Sequence, residues 1–241
     1  AEAGSGNPVR VGAERASEGL RTAAEQAMRM AGAPDIVAAA VGMAGFSHRA
    51  APKVVAAALD ALAVRPVVRV LVDDGAIAFR AAFAGPPGAL VMAGTGSGAR
   101  ACGEKGTAIL GGWGAELGDE GSAHDIGREA VRACLRAGQS GERLPILGKG
   151  VLAHAGVAEV RFLPDLVRRG ELLLADLCTV VMAAAQEGDE VAHGILAGAS
   201  RSLYAQALAA ASAAGAPDQT ALATTGSVLA SGAVRDGLYA C

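Results

Sequence analysis

Short apolar runs alternate along this chain with longer alanine-rich stretches of helical spacing. In Glu14–Met30, Leu20, Ala23, Ala24 and Ala27 fall on one face, which predicts a helix. Asp35–Ala44 (DIVAAAVGMA) is a continuous apolar run ending in a glycine turn and predicts a buried strand. Ala51–Ala63 predicts a helix, Val67–Val72 a strand closing at Asp73-Asp74, and Gly75–Phe83 a further helix. Ala89–Ala93 predicts a strand running into Gly94-Thr95-Gly96-Ser97. Arg100–Cys102 and Thr107–Leu110 flank Gly103-Glu104-Lys105-Gly106, a hairpin pattern. Asp119–Ala137 predicts a helix with two carboxylates in its first turn, where they favour the positive end of the helix dipole. Glu171–Ala214 predicts mostly helix, broken near Gly188-Asp189. A last strand, Thr220–Thr225, reaches Gly226-Ser227, and a final helix follows. Buried strands that finish in acidic or glycine-rich turns define an α/β sheet that binds ligands at the carboxyl ends of its strands. Gly85-Pro86-Pro87-Gly88 is the strongest punctuation and divides a first domain, 1–87, from a second, 88–241.

Composition changes the picture in four ways. Hydrophobic residues are 52% of the 241 but aromatics only 3%, so the core must be built from Ala, Val and Leu. The net charge of -3 leaves no basic footprint, which argues against a nucleic-acid partner. No apolar run reaches the roughly 18–20 residues of a membrane span, and residues 1–8 lack a signal-peptide pattern. Cys102, Cys134, Cys178 and Cys241 form no CxxC pair, so no zinc or redox site is expected, and reduced thiols fit a cytoplasmic protein.

Gly94-Thr95-Gly96-Ser97 lets backbone amides approach an anion. The bland reading of the tetrapeptide is a tight turn. Asp73 and Asp74 stand where a carboxylate can take the proton of an attacking hydroxyl, or simply cap the next helix. Asp74 is assigned the base and Asp73 the turn. Gly111, Gly112, Gly114, Gly118 and Gly121 are too dense for any regular element and suit a backbone wrapped round a ligand. Trp113, set among them, suits sugar stacking or a pocket wall. His48, His124, His154 and His193 lack a partner at metal-ligand spacing.

Taken in order, Gly6-Asn7-Pro8 with Gly12, Val41-Gly42-Met43-Ala44-Gly45, Asp73-Asp74-Gly75, Ala93-Gly94-Thr95-Gly96-Ser97, Gly111-Gly112-Trp113-Gly114 and Leu117-Gly118-Asp119-Glu120-Gly121-Ser122 resemble the BadF/BadG/BcrA/BcrD-type ATPase family. Within it the chain looks like the N-acetylglucosamine kinases of the sugar kinase/Hsp70/actin superfamily. The GGWG and GDEGS pair is the most specific part. The resemblance implies two ribonuclease-H-like domains with a central cleft, and ATP- and Mg²⁺-dependent phosphorylation of an amino sugar, N-acetylglucosamine at O6 first. Glucosamine kinase, N-acetylmuramic acid kinase and an inactive sugar sensor are the alternatives. Asp74 matches the catalytic aspartate. Asn7 and Asp119 match sugar contacts, with Trp113 adjoining them. Thr95, Gly96 and Ser97, after Gly94, match the second phosphate loop and part of the sugar pocket. Gly226 and Ser227 fall at the adenosine segment. The family's opening strand and DGGGTK-like first phosphate loop have no counterpart here, and the carboxyl end is short. The expectation is therefore a chain truncated at both ends, whose first domain lacks its initial strands. The resemblance admits a homodimer. The iron–sulfur branch of the family is a poor match, because no cysteine lies in an NDKCAAGTG-like context.

Overall fold

The structure, a computed structural model, describes residues 7–32, 36–45, 49–62, 68–141 and 144–241. Gly6, Asp35, His48, Ala63 and Val67, named above, lie outside the described residues. The chain divides into two compact units, Ala1–Ala81 and Ala82–Cys241.

In the first unit, α1 (Pro8–Val11) and α2 (Ala13–Met30) lead to β1 (Ala38–Met43), α3 (Ala51–Asp60), β2 (Val68–Asp73) and α4 (Asp74–Ala82). β1 and β2 pair in parallel, Val41 opposite Leu71 and Met43 opposite Asp73. A parallel pair needs a crossover between its strands, and α3 supplies it. Met43, Val54, Val55 and Leu59 form the core with Ala16 of α2. The strand-to-helix switch after Val72 has a local cause: Asp73 accepts the Ala76 N–H through Oδ1 at 2.8 Å, capping α4.

The second unit begins with β3 (Gly88–Ala93), β4 (Ser97–Gly103) and β5 (Gly106–Gly111), continues through α5 (Ala123–Ser140), α6 (Ile146–Ala155), α7 (Leu163–Arg169), α8 (Leu177–Gln186) and α9 (Glu190–Ala214), and ends with β6 (Leu222–Thr225), α10 (Ser227–Ala230) and α11 (Gly232–Tyr239). The sheet order is β5-β4-β3-β6, antiparallel across the first three strands and parallel between β3 and β6. One face of β3 and β4, with Val91, Ala99 and Ala101, packs into a core shared with Ile126 and Ala130 of α5 and Leu203, Ala207 and Ala210 of α9. The hairpin turn docks on the end of α9: Lys105 N–H donates to Ala214 O at 2.9 Å and Glu104 N–H to Gly215 O at 3.3 Å. Two carbonyls that a helix end leaves open are thereby satisfied.

The start of α5 corrects the sequence expectation. The helix does not begin at Asp119 but at Ala123, with Ser122 as its cap and the Ser122 Oγ accepting from Asp125 N–H at 3.2 Å. Asp119 adopts φ 60 and Gly121 φ 79, left-handed conformations that cannot continue into a helix. Asp125, not Asp119 or Glu120, is the carboxylate of the first turn. The helical stretch expected from Glu171 likewise starts later, with α8 at Leu177.

The break at Gly188-Asp189 carries more than a turn. The Asp189 carboxylate is 5% exposed. It caps α9 through the Ala192 N–H at 3.0 Å and accepts the Leu147 N–H of α6 at 2.8 Å. Asp189→Ala is expected to lower stability by about 2 kcal/mol, because two buried amides lose their acceptor. For a unit of this size that is a fall of about 4–8 °C in Tm. A melting curve superimposable on the parent's would refute the double-cap role.

All four cysteines are free thiols. Burial pushes the Cys134 and Cys178 thiols up to about 11, which keeps them protonated and unreactive near neutral pH. No helix among the described residues is long and apolar enough to cross a membrane.

Candidate active site

In the second unit, β3 and β6 run side by side, Met92 opposite Thr225, and each is followed by a glycine, Gly94 and Gly226. After β3 the chain makes a tight turn, closed by Gly94 N–H to Gly96 O at 2.9 Å. The carbonyls of this turn are occupied by the first turn of α5: Ala123 N–H donates to Gly94 O at 2.8 Å and His124 N–H to Thr95 O at 3.4 Å. The amides of Thr95 and Gly96 take no backbone acceptor among the described residues. Unengaged amides in a glycine turn at a strand's carboxyl end are suited to an anion such as phosphate.

Gly226 stands against this turn. It takes φ 106, and a Cβ on it would lie 2.3 Å from Ala93 O. The position therefore admits only glycine. Ser227, which opens α10, places its Oγ 3.8 Å from where a Cβ of Gly94 would be. Gly94, Thr95, Gly96, Gly226 and Ser227 thus form one continuous patch of the second unit.

Asp119 closes on the same patch. A Cβ on Gly96 would meet the Asp119 Oδ2 at 2.7 Å, so the carboxylate lies directly over the glycine. Asp119 is 8% exposed, yet its carboxylate accepts no hydrogen bond among the described residues. The carboxylate oxygens are not among the fully buried unpartnered atoms of the described residues, so they face solvent and are open to the donors of a ligand. Ser97 is 6% exposed and donates through Oγ to Glu120 O at 2.8 Å, which ties the start of β4 to the Asp119 loop. Trp113 projects from the same loop and is 76% exposed, with its Cβ 3.1 Å from where a Cβ of Gly118 would sit.

In the first unit, Asp74 is the first residue of α4 and is exposed. Its Oδ1 accepts its neighbour Gly75's N–H at 3.1 Å. Asn7 precedes α1, and its carbonyl accepts the Val11 N–H at 3.1 Å.

Three residues around the Asp119 loop escaped the sequence reading. Asp125 accepts the Gly121 N–H at 2.8 Å, Arg128 donates to the Ala115 carbonyl at 3.0 Å, and Gln206 Nε2 donates to Glu120 O at 3.1 Å. The Ser122-x-x-Asp125 spacing is a capping pattern that could have revealed the first. Gln206 joins a residue 86 positions away, beyond the reach of any local pattern.

A mixed α/β unit with glycine turns and a free carboxylate at the ends of neighbouring parallel strands is the architecture of a nucleotide- or phosphate-binding protein. The model of the BadF/BadG/BcrA/BcrD ATPase family matches residues 1–239, and the chain belongs to that family. It is 32% identical over 139 residues to the N-acetylmuramic acid/N-acetylglucosamine kinase of Clostridium acetobutylicum. That stretch is 56% of this chain, and it spans just under half, 45%, of the curated relative. The fold is similar to the crystal structure of a presumed N-acetylglucosamine kinase from Chromobacterium violaceum, with a TM-score of 0.79 and 25% identity, over 98% of this chain and 80% of that one. It is also similar to a presumed N-acetylglucosamine kinase from Porphyromonas gingivalis, with a TM-score of 0.72 and 20% identity, over 97% of this chain and 79% of that one. At that identity the second likeness speaks for the fold alone.

Proposed function

We propose that this chain is an ATP-dependent kinase that phosphorylates an amino sugar, with N-acetylglucosamine as first substrate and O6 as the acceptor. The observation that carries the reading is Asp119, a residue 8% exposed whose carboxylate accepts no hydrogen bond among the described residues and lies over the glycine turn in which the Thr95 and Gly96 amides take no backbone acceptor. Sugar hydroxyls donate to a carboxylate in charge-assisted hydrogen bonds. Phosphate oxygens accept from the amides. A site offering both suits phosphoryl transfer to a polyol.

In this reading Asp119 orients the sugar, with Asn7, Ser97 and Trp113 as further contacts. Gly94, Thr95 and Gly96 cradle phosphate, and Gly226 and Ser227 border the nucleotide. Gly96 and Gly226 let the Asp119 carboxylate and the Ala93 backbone close on the turn, where a Cβ would strike them. ATP supplies the phosphoryl group, and Mg²⁺ held by its phosphates neutralises their charge. Asp74 accepts the proton of the attacking hydroxyl. Its neighbour Asp73 is committed to capping α4, which makes Asp74 the better base of the two.

N-acetylmuramic acid is the second sugar to test, because the Clostridium acetobutylicum relative is named for both. The assay incubates the protein with ATP, Mg²⁺ and each of N-acetylglucosamine, N-acetylmuramic acid and glucosamine. Mass spectrometry identifies the phosphorylated product, and phosphorus NMR locates the ester. A 6-phosphate of N-acetylglucosamine is the expected product. Sugar binding by calorimetry without any phosphorylated product would replace the kinase reading with a sugar sensor.

Asp119→Ala is expected to weaken sugar binding about tenfold, the loss of about 1.5 kcal/mol from a hydrogen bond to a charged group. ATP affinity should hardly move. If the two affinities fall together, or only the melting temperature changes, Asp119 is not a sugar ligand.

A further inference from the structure

The loop that carries Trp113 and Asp119 has no regular hydrogen-bonding ladder of its own, yet it holds Asp119 in a left-handed conformation at φ 60. Outside glycine, asparagine and aspartate such a conformation is rare, and even for aspartate it must be imposed by the surroundings. The restraint is visible on both sides of the residue. Before it, the Ala115 carbonyl accepts from Arg128 Nη1 at 3.0 Å. After it, the Gly121 N–H donates to Asp125 Oδ2 at 2.8 Å. Asp125 and Arg128 are themselves joined, Arg128 Nη2 to Asp125 Oδ1. One ion pair on the first turns of α5 therefore grips the loop at two points that bracket Asp119. The Glu120 carbonyl is held from two further directions, by Ser97 Oγ and Gln206 Nε2. The backbone around Asp119 is tethered at three residues while its carboxylate has no partner among the described residues.

We infer that Arg128, acting through Asp125 and the Ala115 carbonyl, is a positioning residue that sets the place of the Asp119 carboxylate over Gly96 and thereby the affinity for the acceptor sugar. The inference rests on the proposed role of Asp119 as a sugar ligand. The guanidinium is lodged against the protein: its Nε is buried and has no acceptor, so the group is placed by its two terminal nitrogens alone. A carboxylate that must meet fixed hydroxyls loses affinity when its anchor loosens by a fraction of an ångström. In this proposal Arg128 is not itself a sugar contact. Its whole effect passes through the loop.

The protein reports on this loop by itself, because Trp113 is the chain's single tryptophan and packs on Gly118 within it. In the full chain, Arg128→Ala is expected to lower the fluorescence anisotropy of Trp113 and raise its quenching by acrylamide. The dissociation constant for N-acetylglucosamine should rise about tenfold, the scale of one lost contact, with ATP affinity unchanged. In an Asp119→Ala background the same substitution should add no further loss of sugar affinity, since the two act in series. Arg128→Lys offers a single point charge in place of a planar fork. It should show the same changes at smaller size, and it serves if Arg128→Ala does not fold. A clasp that merely stabilises α5 would lower Tm and leave the Trp113 signals and sugar affinity alone, which would overturn the inference. If Asp119→Ala itself leaves sugar affinity unchanged, the sugar reading of Asp119 fails, and the Trp113 signals still decide whether Arg128 orders the loop.

Discussion

On the kinase reading proposed above, Asp74→Asn is expected to lower kcat for phosphoryl transfer by about 10²–10⁴-fold, the usual contribution of a general base. Sugar affinity should remain close to the parent's. The substitution isolates proton acceptance because little else depends on the charge. Asp74 is exposed at the first position of α4, and the cap of that helix belongs to Asp73, through the Ala76 N–H at 2.8 Å. Asparagine keeps the shape and the side-chain oxygen that faces Gly75 N–H, so the helix start survives. Its amide cannot take a proton at neutral pH. Asp73→Asn is the control: asparagine also caps helices well, so kcat should stay within a factor of a few. Turnover by Asp74→Asn at the parent's rate would remove Asp74 from the mechanism. Equal losses from both substitutions would show that the helix start, not the proton, is at issue.

The second large effect is on stability. Gly127→Ala should lower it by about 3 kcal/mol, a Tm fall of about 6–12 °C for a unit of this size. In a helix interior, alanine ordinarily gains about 1 kcal/mol over glycine. At Gly127 the added Cβ would lie 1.8 Å from the Leu174 carbonyl oxygen and 3.2 Å from the Leu177 Cβ. The first of these is backbone, which cannot rotate away, so α5 must part from the turn before α8 and open the core around Ile126 and Leu177. Gly194, inside α9, gives the opposite case. Nothing lies within 4 Å of its Cβ position. Gly194→Ala should therefore raise Tm by the helix-propensity gain. Two melting curves decide the matter, and shifts of the same sign would refute the steric account.

Much of the fold was legible because its strands are short apolar runs with sharp ends. β3 runs into its glycine turn, the β4–β5 hairpin closes at Glu104-Lys105, and α8 and α9 part at Gly188-Asp189, each where the sequence pattern placed it. The start of α5 was misread because Asp119-Glu120 imitates a charged first turn. Local propensity lost there to a left-handed backbone and to Ser122, a better cap two residues beyond Glu120. α6 and α7 had no reading at all, since α6 (ILGKGVLAHA) mixes glycine with apolar residues on all sides and shows no polar stripe. At the candidate site, the sequence pointed to groups with chemistry, such as Asp119 and the Gly94 turn. It was silent on what holds them. Arg128 bonds a carbonyl 13 residues back, and Gln206 bonds one 86 residues back. Such pairs obey no periodicity, because the acceptor is backbone and can belong to any residue type.

The left-handed backbone at position 119 also has a bearing on how this pocket can evolve. Glycine takes that conformation freely, and asparagine, aspartate and histidine adopt it more readily than other residues. The menu at the residue laid over Gly96 is thus short. Glutamate, threonine and serine could in principle greet a hydroxyl, but each meets a conformational barrier before its chemistry is ever tried. On the proposed reading, a lineage adapting to a new acceptor would find this position nearly frozen. It would have to explore specificity at Trp113 and Leu117, which are 76% and 83% exposed and bear no such restriction.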